Sequence, residues 1–263
     1  MARVDVPLSR LRFGETQRRD NWWVTPLVVF TILSSFLVYA TWAALQGAHF
    51  TYGPYLSPFY SPLLFAPEHS WFGAQPKWIP PYVTVAMLIL PIPAGFRLTC
   101  YYYRGAYYKA FWADPPSCAV GEPRKTYLGE RSFPLIIQNI HRYFLYLAIA
   151  FIGILSFDVW QALWWTGDDG VRRFGIGLGT LVMATNVVLL GSYTFGCHSL
   201  RHLVGGWMDK FSGRAVRKAT YDCVSCLNRR HMLFAWCSLF SVALTDLYIR
   251  LCSMGVIHDW RIL

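Results

Sequence analysis

The sequence predicts an all-α, polytopic membrane protein built as a five-transmembrane-helix bundle. Of its 263 residues, 55% are hydrophobic and only 14% are charged, and twelve are Trp. The mean hydropathy is +0.32. Five apolar stretches approach or exceed the roughly 20 residues that a helix needs to cross the hydrocarbon core of a bilayer. These observations exclude a soluble globular protein and predict a single membrane-anchor domain over residues 1–263.

Each predicted span has its own justification. The first, residues 22–46, has no charged residue between Val24 and Leu45 and is too long for a cleaved signal peptide. The second, residues 79–99, contains Pro91 and Pro93, which predict a kink near Pro91. The remaining spans are predicted at 134–165, 174–204 and 231–256, and tilt accommodates the longer ones.

The basic residues are distributed unequally between the two sides of the predicted bundle. With the N-terminus in the cytoplasm, the inner side holds nineteen of the twenty-four Lys and Arg residues, as the positive-inside rule requires. This distribution explains the net charge of +10 without nucleic-acid binding, and it suits the docking of a soluble subunit. We therefore expect an integral, multi-pass protein of the cytoplasmic membrane with its N-terminus inside.

The same orientation gathers imidazoles and thiols at the inner membrane border. His141 lies near the start of the third span, His198 and His202 end the fourth, and His231 begins the fifth. Six of the seven cysteines also fall on or near the inner side, which argues against disulfide bonds. The histidines without a partner motif are interpreted as surface residues: His49, His69 and His258.

Two motifs on either side of one basic loop have the spacing of metal ligands. His198 and His202 are four residues apart, so both project from one face of a helix. Cys223-x2-Cys226 has the spacing at which two thiolates bind one metal atom. We predict these four residues as ligands. The substitutes are His141, His231 and Cys197.

Three kinds of metal site use such a set of ligands. A structural zinc would join the fourth helix to the fifth. A [2Fe-2S] centre with Rieske-type ligation would place two Cys on one iron and two His on the other, at potentials suited to quinones. A b-type haem would need two His on different helices, which His141 could supply together with His231 or His198.

The stretch YTFGCHSLRHLVGGWMDKF, residues 193–211, resembles the membrane-anchor cytochrome subunits of succinate dehydrogenase and fumarate reductase, respiratory complex II. Arg201, His202 and Asp209 stand where that family has Arg-His and a downstream Asp. The position of the family's haem ligand is occupied by Phe195. The resemblance thus implies an anchor without the usual haem b, and its iron–sulfur relay would use the His and Cys at the inner border.

The function that the resemblance implies is that of a subunit of succinate:quinone oxidoreductase, which is not catalytic alone. Electrons from succinate would pass through FAD and further iron–sulfur clusters in a flavoprotein subunit and an iron–sulfur subunit before reaching quinone. Lipids would surround the anchor, and the whole complex could be an oligomer. The candidate quinone-binding residues near the inner border are Arg97, Tyr101, Tyr143, Arg201 and Trp207.

Other interpretations stay open at this point. The chain could be a haem b subunit of another respiratory oxidoreductase, similar to the gamma chain of nitrate reductase, or a non-redox, zinc-stapled scaffold or transporter. Asp246 and Arg250, four apart in the fifth span, are either pathway charges, an outer quinone contact or a structural ion pair, and Asp158 could join them. The small residues of GIGLGT, 175–180, predict helix packing and not a nucleotide loop.

Overall fold

The computed structural model describes residues 12–66, 70–124, 131–133, 135–167, 169–206, 209–210 and 212–263. This part of the chain is mostly helical, with two short antiparallel hairpins. Its α-helices are α1 (Val24–Gln46), α2 (Val85–Ile89), α3 (Pro91–Leu98), α4 (Tyr101–Tyr107), α5 (His141–Gln161), α6 (Leu178–Phe195), α7 (His198–Gly205), α8 (Ala215–Arg229) and α9 (His231–Ser253). A π-helical turn, Tyr108–Trp112, follows α4, and a 3-10 helix, Leu135–Ile140, leads into α5. The hairpins pair β1 (Thr51–Tyr52) with β2 (Tyr55–Leu56) and β3 (Trp164–Thr166) with β4 (Arg172–Phe174).

The membrane-spanning character predicted from the sequence is confirmed. By length and composition, four helices of the described chain can cross a membrane: α1, Ile136–Gln161, α6 and α9. A fifth span is formed if Val85–Leu98 and Tyr101–Trp112 are one interrupted segment. At Pro91, where a kink is predicted, the helix is interrupted, because α2 ends at Ile89 and α3 begins at Pro91. The bend itself stays a prediction.

Two of the predicted span boundaries are wrong. The second span does not begin at residue 79, because the helix starts only at Val85, where the Thr84 side chain accepts a hydrogen bond from the Met87 amide. The fourth span does not continue to residue 204. It ends at Phe195, and α7 is a separate helix that starts at His198.

The chain divides into two compact units, Met1–Leu37 with Leu98–Asn139 and Val38–Arg97 with Ile140–Leu263. In the first unit, the segment that precedes α1 is hydrogen-bonded to a loop around residue 119. The Gly14 amide donates to the Gly121 carbonyl at 2.9 Å, and the Thr16 hydroxyl donates to the Ala119 carbonyl at 2.7 Å. Phe30 of α1 contacts Phe111, with ring centroids 4.8 Å apart.

The second unit is a helical bundle in which α6 packs against both α9 and α5. The packed face of α9 includes Ala235, Leu239 and Ile249, which are fully buried apolar residues. Ser238, Asp246 and Arg250 lie on the same buried side of this helix. Buried polar side chains thus lie toward both ends of the bundle, and Asn186 is buried midway along α6.

The loop end of this unit is defined as the side where α5 and α9 end and α6 begins, with residues 47–62, 162–177 and 254–263. Here Asp259 accepts hydrogen bonds from the hydroxyls of Tyr55 at 2.7 Å and Tyr248 at 2.6 Å, and from the Gly179 amide at 2.8 Å. A Cβ on Gly177 or Gly179 would overlap with Tyr55. The small residues of GIGLGT thus serve close packing, although their partners are Tyr55, Trp165 and the C-terminal residues 259–263 and not a helix.

A buried ion pair lies at the same end. Arg250 donates from Nε to Asp246 at 2.7 Å, and the side chains are only 2% and 0% exposed. Asp246 also accepts from the hydroxyls of Tyr39 and Ser57. The two terminal nitrogens of Arg250 donate to the carbonyls of Ala43 and Ala48, where α1 ends. Both charged groups are hydrogen-bonded to neighbouring groups of the protein as well as to each other. Among the alternatives raised by the sequence, the geometry therefore favours a structural ion pair.

Candidate functional site

The opposite side of the second unit, where α3 and α6 end and α5 and α9 begin, is called the histidine end. His141, the first residue of α5, is buried, and its Nε2 lies 3.1 Å from the Sγ of the buried Cys197. Phe96 of α3 stacks on the His141 ring, with centroids 4.7 Å apart, and also contacts Tyr193 edge-on at 5.4 Å. Tyr193 in turn stacks on His231 at 4.9 Å. Four helix termini thus contribute to one group of side chains.

Arg97 completes this group from the end of α3. Its guanidinium donates to the Ser238 hydroxyl at 2.9 Å and to the Ala235 carbonyl at 3.2 Å. The same guanidinium lies over the Tyr193 ring, 4.8 Å from the centroid, which is a cation–π distance. We call the set the His141 cluster; it contains Phe96, Arg97, His141, Tyr193, Cys197 and His231.

The break between α6 and α7 determines where Cys197 lies. Gly196 caps the C-terminus of α6, and its carbonyl accepts a hydrogen bond from the Asn228 side chain of α8 at 2.8 Å. A Cβ at Gly196 would press against Leu227, so glycine allows α8 to approach this closely. Cys197 has extended backbone geometry ahead of α7 and is turned into the interior. The thiol consequently contacts His141 instead of following His198 around a continuous helix.

The ligand set predicted as the first choice is corrected by the structure. His198 and His202 are both exposed, with their Nε2 atoms 3.0 Å apart, and Cys223 and Cys226 are exposed on α8. Among the described residues, no three His, Cys, Asp or Glu side chains are grouped so that they could hold a metal ion. The His–Cys arrangement therefore does not support the predicted Rieske-type [2Fe-2S] centre or a structural zinc on these four residues. The physical reason is that α7 and α8 each keep their own pair on an exposed surface.

The substitute ligands, in contrast to the first-choice set, lie close to one another: His141, Cys197 and His231 all belong to the His141 cluster. They bring together thiol and imidazole groups, which are the donor types that iron centres use. However, the Nε2 of His141 is directed at Cys197, and the ring of His231 is covered by Tyr193. This geometry is not that of two imidazoles presented to a haem from opposite sides. Phe195, at the position of the usual haem ligand, ends α6.

The predicted quinone-binding residues differ in their burial and in the residues that they contact. Arg97 is part of the His141 cluster. Tyr143 on α5 is 69% exposed, and Arg201 on α7 donates to the Ser225 hydroxyl at 3.1 Å and lies over the Tyr221 ring. Tyr101, also 69% exposed, carries Arg104 over its ring. Trp207 lies outside the described residues, as do His69 and Asp168.

Sequence reasoning missed three residues of this region: Phe96, Tyr193 and Ser238. Tyr193 opens the stretch that carries the family resemblance, so its position was a usable signal. Phe96 precedes Arg97, but a phenylalanine side chain has no ionisable or metal-binding group that would mark it as a site residue. Ser238 lies seven residues after His231, which places both near one face of α9.

The surroundings of His198 favour its neutral imidazole. Partial burial lowers the pKa of His198 below its usual value, and the neighbouring charges of His202 and Arg201 lower it further. The imidazole is thus more readily neutral than an isolated histidine. A neutral imidazole has a free lone pair, which accepts a proton or a metal ion.

Comparisons with known proteins identify the family. Residues 24–255 match the family model described as actinobacterial succinate dehydrogenase subunit SdhC. The chain belongs to this family. A solved structure, the Mycobacterium smegmatis Sdh1 complex in the apo form, contains a chain that is 43% identical, with a TM-score of 0.87 over 98% of both chains. No curated protein matches the chain.

Membership in the family settles the coarse features predicted from the sequence. The chain is a membrane-anchor subunit of succinate dehydrogenase, it is integral to the membrane with several spans, and it is not catalytic alone. This excludes the nitrate-reductase-like and transporter interpretations. The orientation of the N-terminus, the single-domain assignment and the roles of individual residues stay predictions.

Proposed function

We propose that this subunit anchors a flavoprotein subunit and an iron–sulfur subunit to the cytoplasmic side of the membrane and delivers their electrons to quinone at the histidine end. The proposal draws on family membership and on the excess of Lys and Arg on the side predicted to be inner. The solved relative is part of an Sdh1 complex, which supports assembly with partner subunits.

The observation that carries the proposal is the convergence of separately predicted residues. Arg97, His141, Cys197 and His231 come from distant parts of the sequence, and all belong to the His141 cluster. The cluster supplies a cationic donor and two imidazoles at the end of an apolar bundle. Such a combination of polar groups and apolar surroundings is typical of a site for a hydrophobic ligand with a polar head.

The chemistry that these groups can perform follows from the reaction. Oxidation of succinate to fumarate releases two electrons and two protons, and reduction of a quinone to a quinol takes up two of each. The Arg97 guanidinium can donate a charge-assisted hydrogen bond to a quinone carbonyl, whose oxygen becomes more negative as electrons arrive. The neutral imidazoles of His141 and His231 each offer one N–H donor and one lone pair, through which a proton can be relayed to the quinone.

The ligands available in the His141 cluster limit the role that a metal ion could have in this chain. Of the predicted ligands, His141 and Cys197 are within contact distance, and a two-iron centre of the predicted kind requires four ligands. The proposal therefore passes no electron through a metal of this chain. Iron, zinc and acid-labile sulfide measured on the isolated subunit would reveal whether further donors complete such a site.

The experiment that tests the proposal replaces Arg97 in the purified complex. We expect Arg97→Met to lower succinate:quinone turnover by about tenfold or more, since a hydrogen bond from a charged group contributes about 1.5–3 kcal/mol. Succinate oxidation with a soluble dye, which takes electrons from the partner subunits, should be unchanged. Arg142→Met, which changes an exposed arginine at the start of α5, serves as the matched control.

Two results would contradict the quinone site at the histidine end. One is a wild-type quinone turnover and KM in Arg97→Met. The other is an equal loss in Arg142→Met, which would indicate a general effect of charge at this side. A variant that has lost dye reduction as well has lost assembly, and Arg97→Lys, which keeps the charge, then replaces it in the comparison.

A further inference from the structure

The exposed histidine pair on α7 is not used by the proposed electron transfer. His198 and His202 are separated by one helical turn, and their rings meet edge-to-face with centroids 4.5 Å apart. The two Nε2 atoms approach to 3.0 Å. Each ring therefore directs its Nε2 toward the other ring, and both side chains are exposed.

This separation corresponds to two nitrogens that share one metal ion. A divalent ion with bonds of about 2.0–2.1 Å to imidazole nitrogen holds two such nitrogens about 2.9–3.4 Å apart, for bond angles between square and tetrahedral. The observed 3.0 Å lies within that interval. Metal binding would keep this separation, but the rings would have to turn so that both lone pairs converge on the ion.

The protonation state of the pair also suits a metal ion. The hydrogen bond between the two Nε2 atoms requires one ring to carry its proton on Nε2 and the other to offer its lone pair. When a metal replaces this bond, the Nε2 proton moves to Nδ1 of the same ring, so no net proton is released from a neutral pair. Arg201, the nearest cation on α7, directs its Nε at Ser225 on α8.

We propose that His198 and His202 form an exchangeable surface site for a borderline divalent cation such as Zn²⁺, Ni²⁺ or Cu²⁺. Imidazole nitrogen favours these ions over Mg²⁺ and Ca²⁺, which require oxygen ligands. Two protein ligands leave the remaining positions to water, so the ion is loosely held. The site adjoins the His141 cluster through Cys197, but neither of its ligands belongs to the cluster or to the proposed quinone site.

Equilibrium dialysis of the purified complex against Zn²⁺ tests the site, with bound metal measured by mass spectrometry. The complex is first stripped with a chelator, and Mg²⁺ is present throughout to occupy oxygen sites. We expect the wild type to bind one Zn²⁺ per chain more than the His198→Gln/His202→Gln double variant. Either single variant should bind that ion at least about tenfold more weakly, since even the loss of a residue that merely supports a ligand weakens metal affinity by 10–100-fold.

The matched control is His258→Gln, which removes an exposed histidine of the C-terminal segment and should leave Zn²⁺ binding unchanged. Because His198 and His202 are exposed, both substitutions should leave the melting temperature of the metal-free complex unchanged. Equal Zn²⁺ content and affinity in the wild type and the double variant would overturn the proposal. So would a single variant that binds as tightly as the wild type, or a complex in which the wild-type pair takes up no metal.

Discussion

The two ends of the second unit use polar residues in opposite ways. At the loop end, the buried ion pair of Asp246 and Arg250 has its hydrogen bonds satisfied by α1, the 47–62 segment and each other. At the histidine end, rings stack on one another, His141 contacts Cys197, and Arg97 donates to Ser238 and Ala235. A buried ion pair with all its hydrogen bonds made stabilises the fold, whereas imidazole, thiol and guanidinium side chains can also bind a ligand or transfer a proton. We therefore expect substitutions at the loop end to lower stability and those at the histidine end to lower quinone reduction.

The largest effect is expected from breaking the buried ion pair. Arg250→Leu leaves the Asp246 carboxylate buried without its cation and removes the hydrogen bonds from Arg250 to the carbonyls of Ala43 and Ala48. The cost should be about 3–5 kcal/mol, measured as a lower melting temperature and a lower yield of assembled complex. Quinone turnover per assembled complex should be retained.

The control for this variant is a second Asp–Arg pair at the same sequence spacing. Asp169 and Arg173 also form an ion pair, but their side chains are 45% and 60% exposed. Arg173→Leu should therefore cost between 0 and about 1 kcal/mol. A melting temperature that falls equally in both variants would contradict the comparison between the ends, and so would an Arg250→Leu complex that is stable but inactive.

An intermediate effect, on activity more than on stability, is expected from Cys197→Ala. The lost contact with His141 is worth about 1 kcal/mol, but the imidazole ring loses the group that orients it. We expect quinone turnover to fall by about tenfold while dye reduction is retained. Unchanged quinone turnover would contradict a role of the cluster in the reaction.

Cys197→Ser separates two explanations of that loss. A serine hydroxyl can replace the thiol as a hydrogen-bonding partner of His141, so recovery of activity would assign a positioning role to Cys197. Continued loss, together with less iron in the isolated subunit, would instead indicate a thiolate ligand. The second result would restore a metal centre, with His141, Cys197 and His231 as its ligands.

The sequence was sufficient for the membrane fold because hydrophobicity and length decide it locally. The charge-free first span and the break at Pro91 needed no tertiary information. The end of α6, by contrast, could not be predicted without tertiary information. The residues around Gly196 are compatible with a continuous helix, and the contact with Asn228 and Leu227 of α8 explains the break. A glycine in an otherwise helical pattern was the available sign.

The sequence predicted which residues take part in the site more successfully than it predicted how they are arranged. The sequence placed Arg97, His141, Cys197 and His231 at one border, but it could not show which of them are in contact. The assumption of a continuous helix through residue 204 led to His198 and His202 as first-choice ligands. Once the helix is broken, Cys197 turns inward to His141 and the two histidines remain on the surface. Pairing between distant helices was the missing information.

The smallest expected effect concerns the loop end at alkaline pH. Tyr55 is 1% exposed, and burial raises the pKa of its hydroxyl well above the usual value, with the Asp259 carboxylate adding to the shift. The unfolded chain releases this proton near pH 10, whereas the folded chain retains it. The stabilisation is therefore fully present below pH 10 and is lost as the pH rises toward the folded pKa.

Tyr55→Phe removes this titration together with the hydrogen bond to Asp259, at a cost of about 1 kcal/mol near pH 7. We expect the difference in melting temperature between wild type and variant to shrink between pH 9 and 11, because only the wild type has a proton to lose at this position. Tyr82→Phe, which alters a tyrosine that is 75% exposed, controls for general alkaline effects. A difference that stays constant over this range would mean that the hydroxyl of Tyr55 does not link the loop end to pH, and that the stability of this end depends on the Asp246–Arg250 pair and on packing instead.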